Sequence, residues 1–337
     1  MTRQSWLRRL LLRPELASIG GLAIAFTAFS LATPLFLTKA NFGSFSGLAA
    51  QFGIVAIGVT LLMIGGHFDL SVGAIVGLSG WAMFLFGQEL GLPPAATVLC
   101  SLAFGTMLGF LNGIIQVNTG LSSFIVTLAT ALMYRGFLTM QTSGFPVVIR
   151  FPDSYAELLS GPALGGFRMS LLWFLLAAAV ATLFLQRTRT GNWVFAIGQN
   201  PAAARNLGVP VRRTTVLLFS ISGFTSAMAG VIMAVQYFSI DANRGMGWEL
   251  YAIAIAVIGG TLLTGGYGSV MGSVLGAFLY ASVSGGLLLV GLQGYWVQIF
   301  VGIVLLAAVL INRVLVARLA MLGESDRASS SGNEELP

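Results

Sequence analysis

Residues 17–37 carry no charged side chain, and apolar runs of this kind recur almost to the end of the chain. A helix needs ~20 consecutive apolar residues to cross the hydrocarbon core of a bilayer, and several runs reach that length. Composition agrees: of 337 residues 56% are hydrophobic and 8% charged, with a mean hydropathy of +0.90. Soluble domains carry about 25% charged residues, so this chain cannot cover a water-facing surface. A transmembrane barrel would show ~10-residue segments of alternating polarity, which are missing. The fold class is an all-α polytopic membrane protein. The 43 glycines fit, because small residues let membrane helices approach closely.

The apolar pattern predicts about ten transmembrane helices: 17–37, 47–64, 72–88, 94–117, 121–140, 169–186, 214–237, 249–263, 269–290 and 295–316. Arg3, Arg8, Arg9 and Arg13 precede the first. That run is too long for a signal peptide and lacks a clear small-residue cleavage site. It reads as a retained helix behind a basic cytoplasmic N-terminus, 1–16. Alternation then puts 187–213 in the cytoplasm, with Arg187, Arg189, Arg205, Arg212 and Arg213 and no acid. Segments 141–168 and 238–248 fall outside, and the C-terminus returns inside with Arg313 and Arg318. Every long loop obeys the positive-inside rule. The net charge of +6 is spread along the chain and reads as a topology signal rather than a nucleic-acid patch. Residues 17–320 form one membrane domain, and the polar, Ser-rich tail 321–337 is expected to be disordered.

Two glycine-rich breaks interrupt this pattern, GGHFDLSVGAIVG (65–77) and GGYGSVMGSVLG (265–276); both are expected at the cytoplasmic face. In the first, Gly65 and Gly66 end one helix, and Asp69 caps the next by accepting backbone N–H groups. Ser269 is the equivalent cap in the second. The pairs Gly73/Gly77, Gly109/Gly113 and Gly272/Gly276 recur one turn apart and predict flat strips for close helix packing. His67, the only histidine, reads as a polar junction residue rather than a pH switch.

Several kinds of chemistry are missing. The only lysine, Lys39, is followed by Ala40, so the Gly-Lys-Ser/Thr of a phosphate-binding loop cannot form. With one histidine and one cysteine, Cys100, no His/Cys metal cage can be built within the chain, no intrachain disulfide can form, and the redox compartment stays open. Of eleven acids four follow Met321, and no paired carboxylates for hydrolysis stand out. The chain reads as a conduit and not an enzyme. Ion-coupled transporters usually keep an ionisable group near mid-membrane. Here the only charges near helix interiors are Asp69, Glu89 and Arg135, the last expected to snorkel to the outer interface. Energy is expected from outside the chain.

Several stretches together resemble the permeases of ATP-driven sugar importers, the family that includes ribose, xylose and arabinose permeases. Residues 66–73 resemble its Gly-Gly-Ile-Asp-Leu-Ser-Val-Gly signature. GFLNG (109–113) and SSFIVTLATALMYRG (122–136) follow, then GNWVFAIGQNPAAARNLGV (191–209), VIGGTLLTGGYGSVMGSVLGA (257–277) and YWVQIFVGIVLLAAV (295–309). The order is the family's. His67 stands where the family has its second glycine, Ser123 where it has proline and Ala129 where it has glycine. The resemblance implies a permease homodimer or heterodimer in the bacterial inner membrane, with ten helices. It also implies a separate ATPase that holds ATP and magnesium, a periplasmic or lipid-anchored binding protein, and alternating access driven by ATP.

Within that reading the loop 187–213 holds a short basic helix, with Asn200 as cap, Pro201 at its first position and Gly208 as its stop. It resembles the coupling element to the ATPase through Gly198, Asn200, Ala203, Ala204, Arg205 and Gly208. Small side chains let it seat in a cleft where Arg205 meets acids; the alternative is an interfacial helix with its arginines on lipid phosphates. Gly65, Gly66, Asp69, Ser71, Gly265 and Gly266 are the candidate gate. Asn112, Gln116, Thr127, Gln236 and Tyr237 are candidate pathway residues, or polar glue between helices. Asp241, Arg244 and Glu249 are candidates for docking the binding protein, or solvated loop charges. The expected cargo is a ribose-type pentose, hexose or similar polyol. Alternatives are a nucleoside or branched-chain amino-acid permease of the same superfamily, or an ion-coupled transporter using Asp69.

Overall fold

The computed structural model describes residues 15–303, 306 and 310. Helix α1 (Glu15–Ala32) leads through a 3-10 turn (Pro34–Leu37) into α2 (Lys39–Ile64). Next come α3 (Val72–Phe84), prolonged by a π turn (Leu85–Glu89), α4 (Pro94–Thr119) and α5 (Ser123–Thr142). Strand β1 (Val147–Val148) and α6 (Asp153–Ser160) precede α7 (Met169–Arg187), α8 (Arg189–Gln199) and α9 (Pro201–Asn206). The remainder is α10 (Val211–Tyr237), β2 (Ser239–Ile240), α11 (Trp248–Ile258), α12 (Val270–Leu289) and α13 (295–303). The basic N-terminus 1–14, Arg313, Arg318 and the tail 321–337 lie outside the described residues.

Among the described residues six helices, α2, α4, α5, α7, α10 and α12, are long and apolar enough to cross a bilayer. Apolar on every side, α2 forms the centre, with 94% of its most apolar stretch buried, as expected of a helix hydrophobic all round. By contrast α4, α5 and α7 bury about a third or less of theirs and turn broad apolar flanks outward. Close packing rests on glycine. A Cβ on Gly223 of α10 would come within 2.5 Å of the Gly105 carbonyl of α4, and Gly109 and Gly113 face Phe219 and Val216 of α10 in the same way. The other strips are used too: Gly73 and Gly77 seat the 241–247 turn, and Gly272 and Gly276 seat the end of α11.

Four expectations need correction. The first expected helix stops at Ala32, where Pro34 follows and the Thr33 hydroxyl accepts from Leu35 N. The second begins at Lys39 rather than residue 47, because Thr38 caps it and the Asn41 and Ser46 side chains bond to nearby carbonyls. The expected span 249–263 ends at Ile258. Its 11 residues rise about 16 Å at ~1.5 Å each, half of a ~30 Å core, because the chain turns at Gly259 and at Gly260, whose φ is +86°. Finally, 141–168 is more than a loop. It carries α6, and β1 pairs antiparallel with β2, Val147 opposite Ile240, clasping the segments that follow α5 and α10 at one face of the bundle. The loop 187–213 lies at the other, basic face.

Candidate coupling and gating site

At the basic face the backbone builds α8 and α9 almost end to end. The Thr188 hydroxyl accepts from Gly191 N at 3.0 Å and starts α8. Asn200 ends it and caps α9, its Oδ1 accepting from Ala202 N at 3.1 Å and Ala203 N at 3.0 Å, while Pro201 supplies a first residue without an N–H. Gly208, at φ +81°, closes α9 in the left-handed conformation that favours glycine. The expected short helix is present. Ala204 is buried against the body of the protein, whereas Ala203 and Arg205 face outward. Leu207 beside them is 83% exposed. Neither α8 nor the exposure of Leu207 was read from the sequence, where 191–199 figures only as part of the basic loop 187–213.

Both breaks meet α8. Gly266 N donates to the Ile64 carbonyl at 2.8 Å. A Cβ on Gly265 would lie 2.8 Å from Gly66 Cα and 3.0 Å from the Gly198 carbonyl, and one on Gly198 would strike the Ile64 carbonyl and Gly266 N. The candidate gate glycines Gly66, Gly265 and Gly266 and the candidate coupling residue Gly198, far apart in sequence, therefore touch backbone to backbone. Only Gln199 separates Gly198 from the cap of α9.

Deeper in, the first break needs partners for its backbone. Phe68 N donates to Ser123 Oγ and Leu70 N to Thr127 Oγ1, both at 3.0 Å, and Ser71 N donates to Asp69 Oδ1 at 2.9 Å. Unsatisfied groups at such a place cost several kcal/mol. Asp69 is fully buried. Its Oδ1 also accepts from the Ser71 hydroxyl at 2.6 Å and its Oδ2 from the Ser222 hydroxyl of α10 at 2.8 Å. Asn112 Nδ2 donates to Ser71 Oγ at 2.7 Å, and the Tyr134 hydroxyl donates to Asn112 Oδ1 at 3.2 Å. The capping expectation for Asp69 is corrected in detail. The carboxylate takes one backbone N–H and two hydroxyls, and the cap position belongs to Ser71, which makes no side-chain cap bond itself. Asn112 and Thr127 are both buried and turned onto the break. Ser123, Ser222 and Tyr134 were missed as partners. The one signal for Ser123 was its place where the resemblance has proline, which has no hydroxyl.

At the opposite face Gln236 Oε1 accepts from Gln51 Nε2 and from the Ser160 hydroxyl, both at 2.9 Å. Tyr237 is exposed beneath the Arg244 guanidinium, 4.8 Å from its ring centre. Arg244 pairs with Asp241 at 3.2 Å. Glu249 lies in the first turn of α11, where the expected helix 249–263 also began, and turns its carboxylate toward Gly73. Arg135 does not snorkel: its Nη1 donates to the Ala242 and Arg244 carbonyls at 2.6 and 2.8 Å, pinning the 241–247 turn to α5.

A cavity of about 500 Å³ opens between the first break, the end of α4, α9 and the start of α10. Gln116, expected in a pathway, lines it with His67, Arg205, Arg212 and Thr215. His67 Nε2 lies 3.3 Å from Thr215 Oγ1.

Residues 41–309 match the family described as branched-chain amino acid transport system / permease component. The chain belongs to this permease family. Among its relatives, the Escherichia coli (strain K12) ribose import permease protein RbsC is 32% identical over 88% of this chain and 93% of its own length. A probable ABC transporter permease protein, y4mJ of Sinorhizobium fredii, is 32% identical over 89% and 90%. The autoinducer 2 import system permease protein LsrC of Klebsiella pneumoniae is 33% identical over 91% and 88%. The match covers the first break, the α8–α9 segment and the second break together, and with six long apolar helices this permease is a multi-pass membrane protein.

Proposed function

We propose that this permease is the membrane subunit of an ATP-driven importer whose cargo is a monosaccharide or similar small polyol. Ribose import permeases recur among its relatives, which favours a sugar over a nucleoside or a branched-chain amino acid. Ten crossings, α1, α2, α3 with its π turn, α4, α5, α7, α10, α11 continued by the second break, α12 and the apolar run 295–316, would leave both termini and the basic face in the cytoplasm of an inner-membrane protein. Hydrolysis then belongs to a separate ATPase carrying ATP and magnesium, since Lys39 is the only lysine and lacks a phosphate-loop context. A binding protein would deliver cargo at the opposite face, where Asp241 and Arg244 can meet complementary charge, and a second permease copy or paralogue would complete the assembly.

The observation that carries this reading is the contact of Gly198 with Gly66 and Gly265. The helix α9 presents Ala203, Arg205 and the bare side chain of Leu207 to the cytoplasm, an apolar and basic surface suited to an acid-rimmed cleft. Any push on α9 passes through Gln199 and Gly198 into both breaks. Transport by an ion-coupled Asp69 is disfavoured, because both of its oxygens are occupied by donors of the break and of α10.

Purification of the tagged chain from its native membrane tests the reading. Wild type is expected to bring down an ATPase, and Arg205→Glu with Ala203→Asp to lose it, both changes lying on the outward face of α9. Absence of any ATPase under mild extraction, together with solute movement down a proton gradient, would sink the proposal.

A further inference from the structure

We propose that a second cavity, at the face opposite the basic one, is an entry site for a neutral polyol cargo. It measures about 230 Å³, below the ~300–1,000 Å³ of drug-sized ligand sites and suited to one small solute. Three segments wall it: α6 through Asp153, Glu157 and Ser160, Arg168 just before α7, and the end of α10 through Gln236 and Phe238. Gln236 Oε1 is taken by Gln51 of α2 and by Ser160, while its Nε2 keeps accessible surface and has no partner among the described residues. Arg168 gives one N–H to the Ser160 carbonyl at 3.1 Å. Its guanidinium pairs with neither Asp153 nor Glu157, although all three line the same space. Phe238 adds an aromatic side chain, 40% exposed, from a backbone at φ +48° that a bulky residue seldom takes. Such conformations gather at ligand sites.

The mixture of groups selects the ligand. An anion would meet two carboxylates, and a cation would meet the guanidinium. A branched-chain amino acid gathers its polar atoms at one end and turns an apolar chain to the other walls. Each hydroxyl of a polyol both donates and accepts. One sugar can therefore donate to Asp153 and Glu157 and accept from Arg168 and Gln236, with a C–H face against Phe238. The occupant would bond to the free nitrogen of Gln236, whose oxygen already holds Gln51 on the central helix α2. Arrival of cargo at this face would thus act on the helix whose far end, Ile64, meets the second break. That role rests on the importer reading; the binding itself does not, and is measured without an ATPase.

Saturation-transfer NMR on the purified full chain in lipid nanodiscs tests the site, with ribose, valine and calcium as probes. Ribose is expected to bind with a Kd of about 1–10 mM and valine about tenfold or more weakly, while calcium leaves the ribose signal unchanged. Gln236→Leu should weaken ribose about tenfold, but it also strands Gln51 and Ser160. Asp153→Asn with Glu157→Gln lies on the exposed face of α6, where substitutions seldom alter folding. This double variant is expected to weaken ribose about tenfold too, and thermal unfolding checks that it folds. Ribose binding unaltered in the double variant, valine binding as tightly as ribose, or displacement of ribose by calcium overturns the proposal. No ribose signal from a chain that still brings down an ATPase removes the site and leaves the importer reading standing. Ribose binding by a chain that brings down no ATPase upholds the site and removes its part in import.

Discussion

The backbone N–H of Gly266 donates to the carbonyl of Ile64 at 2.8 Å, joining the end of α2 to the break before α12. Both residues press against Gly198, whose hydrogen occupies the only space their backbones leave. Gly198→Ala is therefore expected to force the three segments apart. Overpacking of this kind costs about 1–3 kcal/mol, so the melting temperature in detergent should fall. If the contact also transmits motion, transport per folded molecule should drop more steeply than yield. A variant with normal stability and transport would remove Gly198 from the mechanism.

Leu207 is exposed at the end of α9 and touches little of its own chain. Surface substitutions of this kind change stability by no more than about 0.5 kcal/mol, so Leu207→Asp should fold as wild type does. Its association with an ATPase should nonetheless be lost. Co-purification measured beside thermal unfolding separates the two effects.

Asp69 holds Ser71 and Ser222 in a buried network. Asp69→Ala strands those hydroxyls and the Ser71 N–H, at about 1–3 kcal/mol for a buried group left unsatisfied. Asp69→Asn keeps one acceptor oxygen and should retain part of both stability and transport. A fully stable Asp69→Asn protein with no transport would instead point to the carboxylate's charge as the working feature.

Arg135 joins α5 to the Ala242 and Arg244 carbonyls. Arg135→Leu leaves both without their donor, which is expected to lower stability by about 1–3 kcal/mol and to open the 241–247 turn to protease. Arg135→Lys should restore part of the loss, since an ammonium carries three donors. Equal protease sensitivity of wild type and the leucine variant would show that the clasp does not hold the turn.

Burial in the break, outside the spanning helices, pushes the His67 imidazolium down from 6.5 to about 4. Between those values the unfolded chain binds more protons than the folded one. The stability that neutral His67 contributes is thus complete above pH 6.5 and declines as the pH falls toward 4. Thermal unfolding across that window should show wild type losing stability relative to His67→Gln, with the two curves parallel above it. Parallel curves throughout would contradict the burial argument.

Apolar run length and the near-absence of charge were enough to determine a helical membrane protein, because a bilayer admits few ways to satisfy a backbone. Local chemistry was equally readable. Asn200, Pro201 and Gly208 act within a few residues of one another, so the short helix α9 could be placed from sequence alone. The half-length of α11 could not, since Gly259 ends that helix against Gly272, a contact no window of sequence contains. Nor could the roles of Ser123, Thr127, Asn112 and Ser222, whose hydrogen bonds to the first break cross between helices. Gly66, Gly198 and Gly265 were each legible as special. Only the tertiary structure put them at one point, because glycine's missing side chain has consequences only where another backbone arrives to occupy the space.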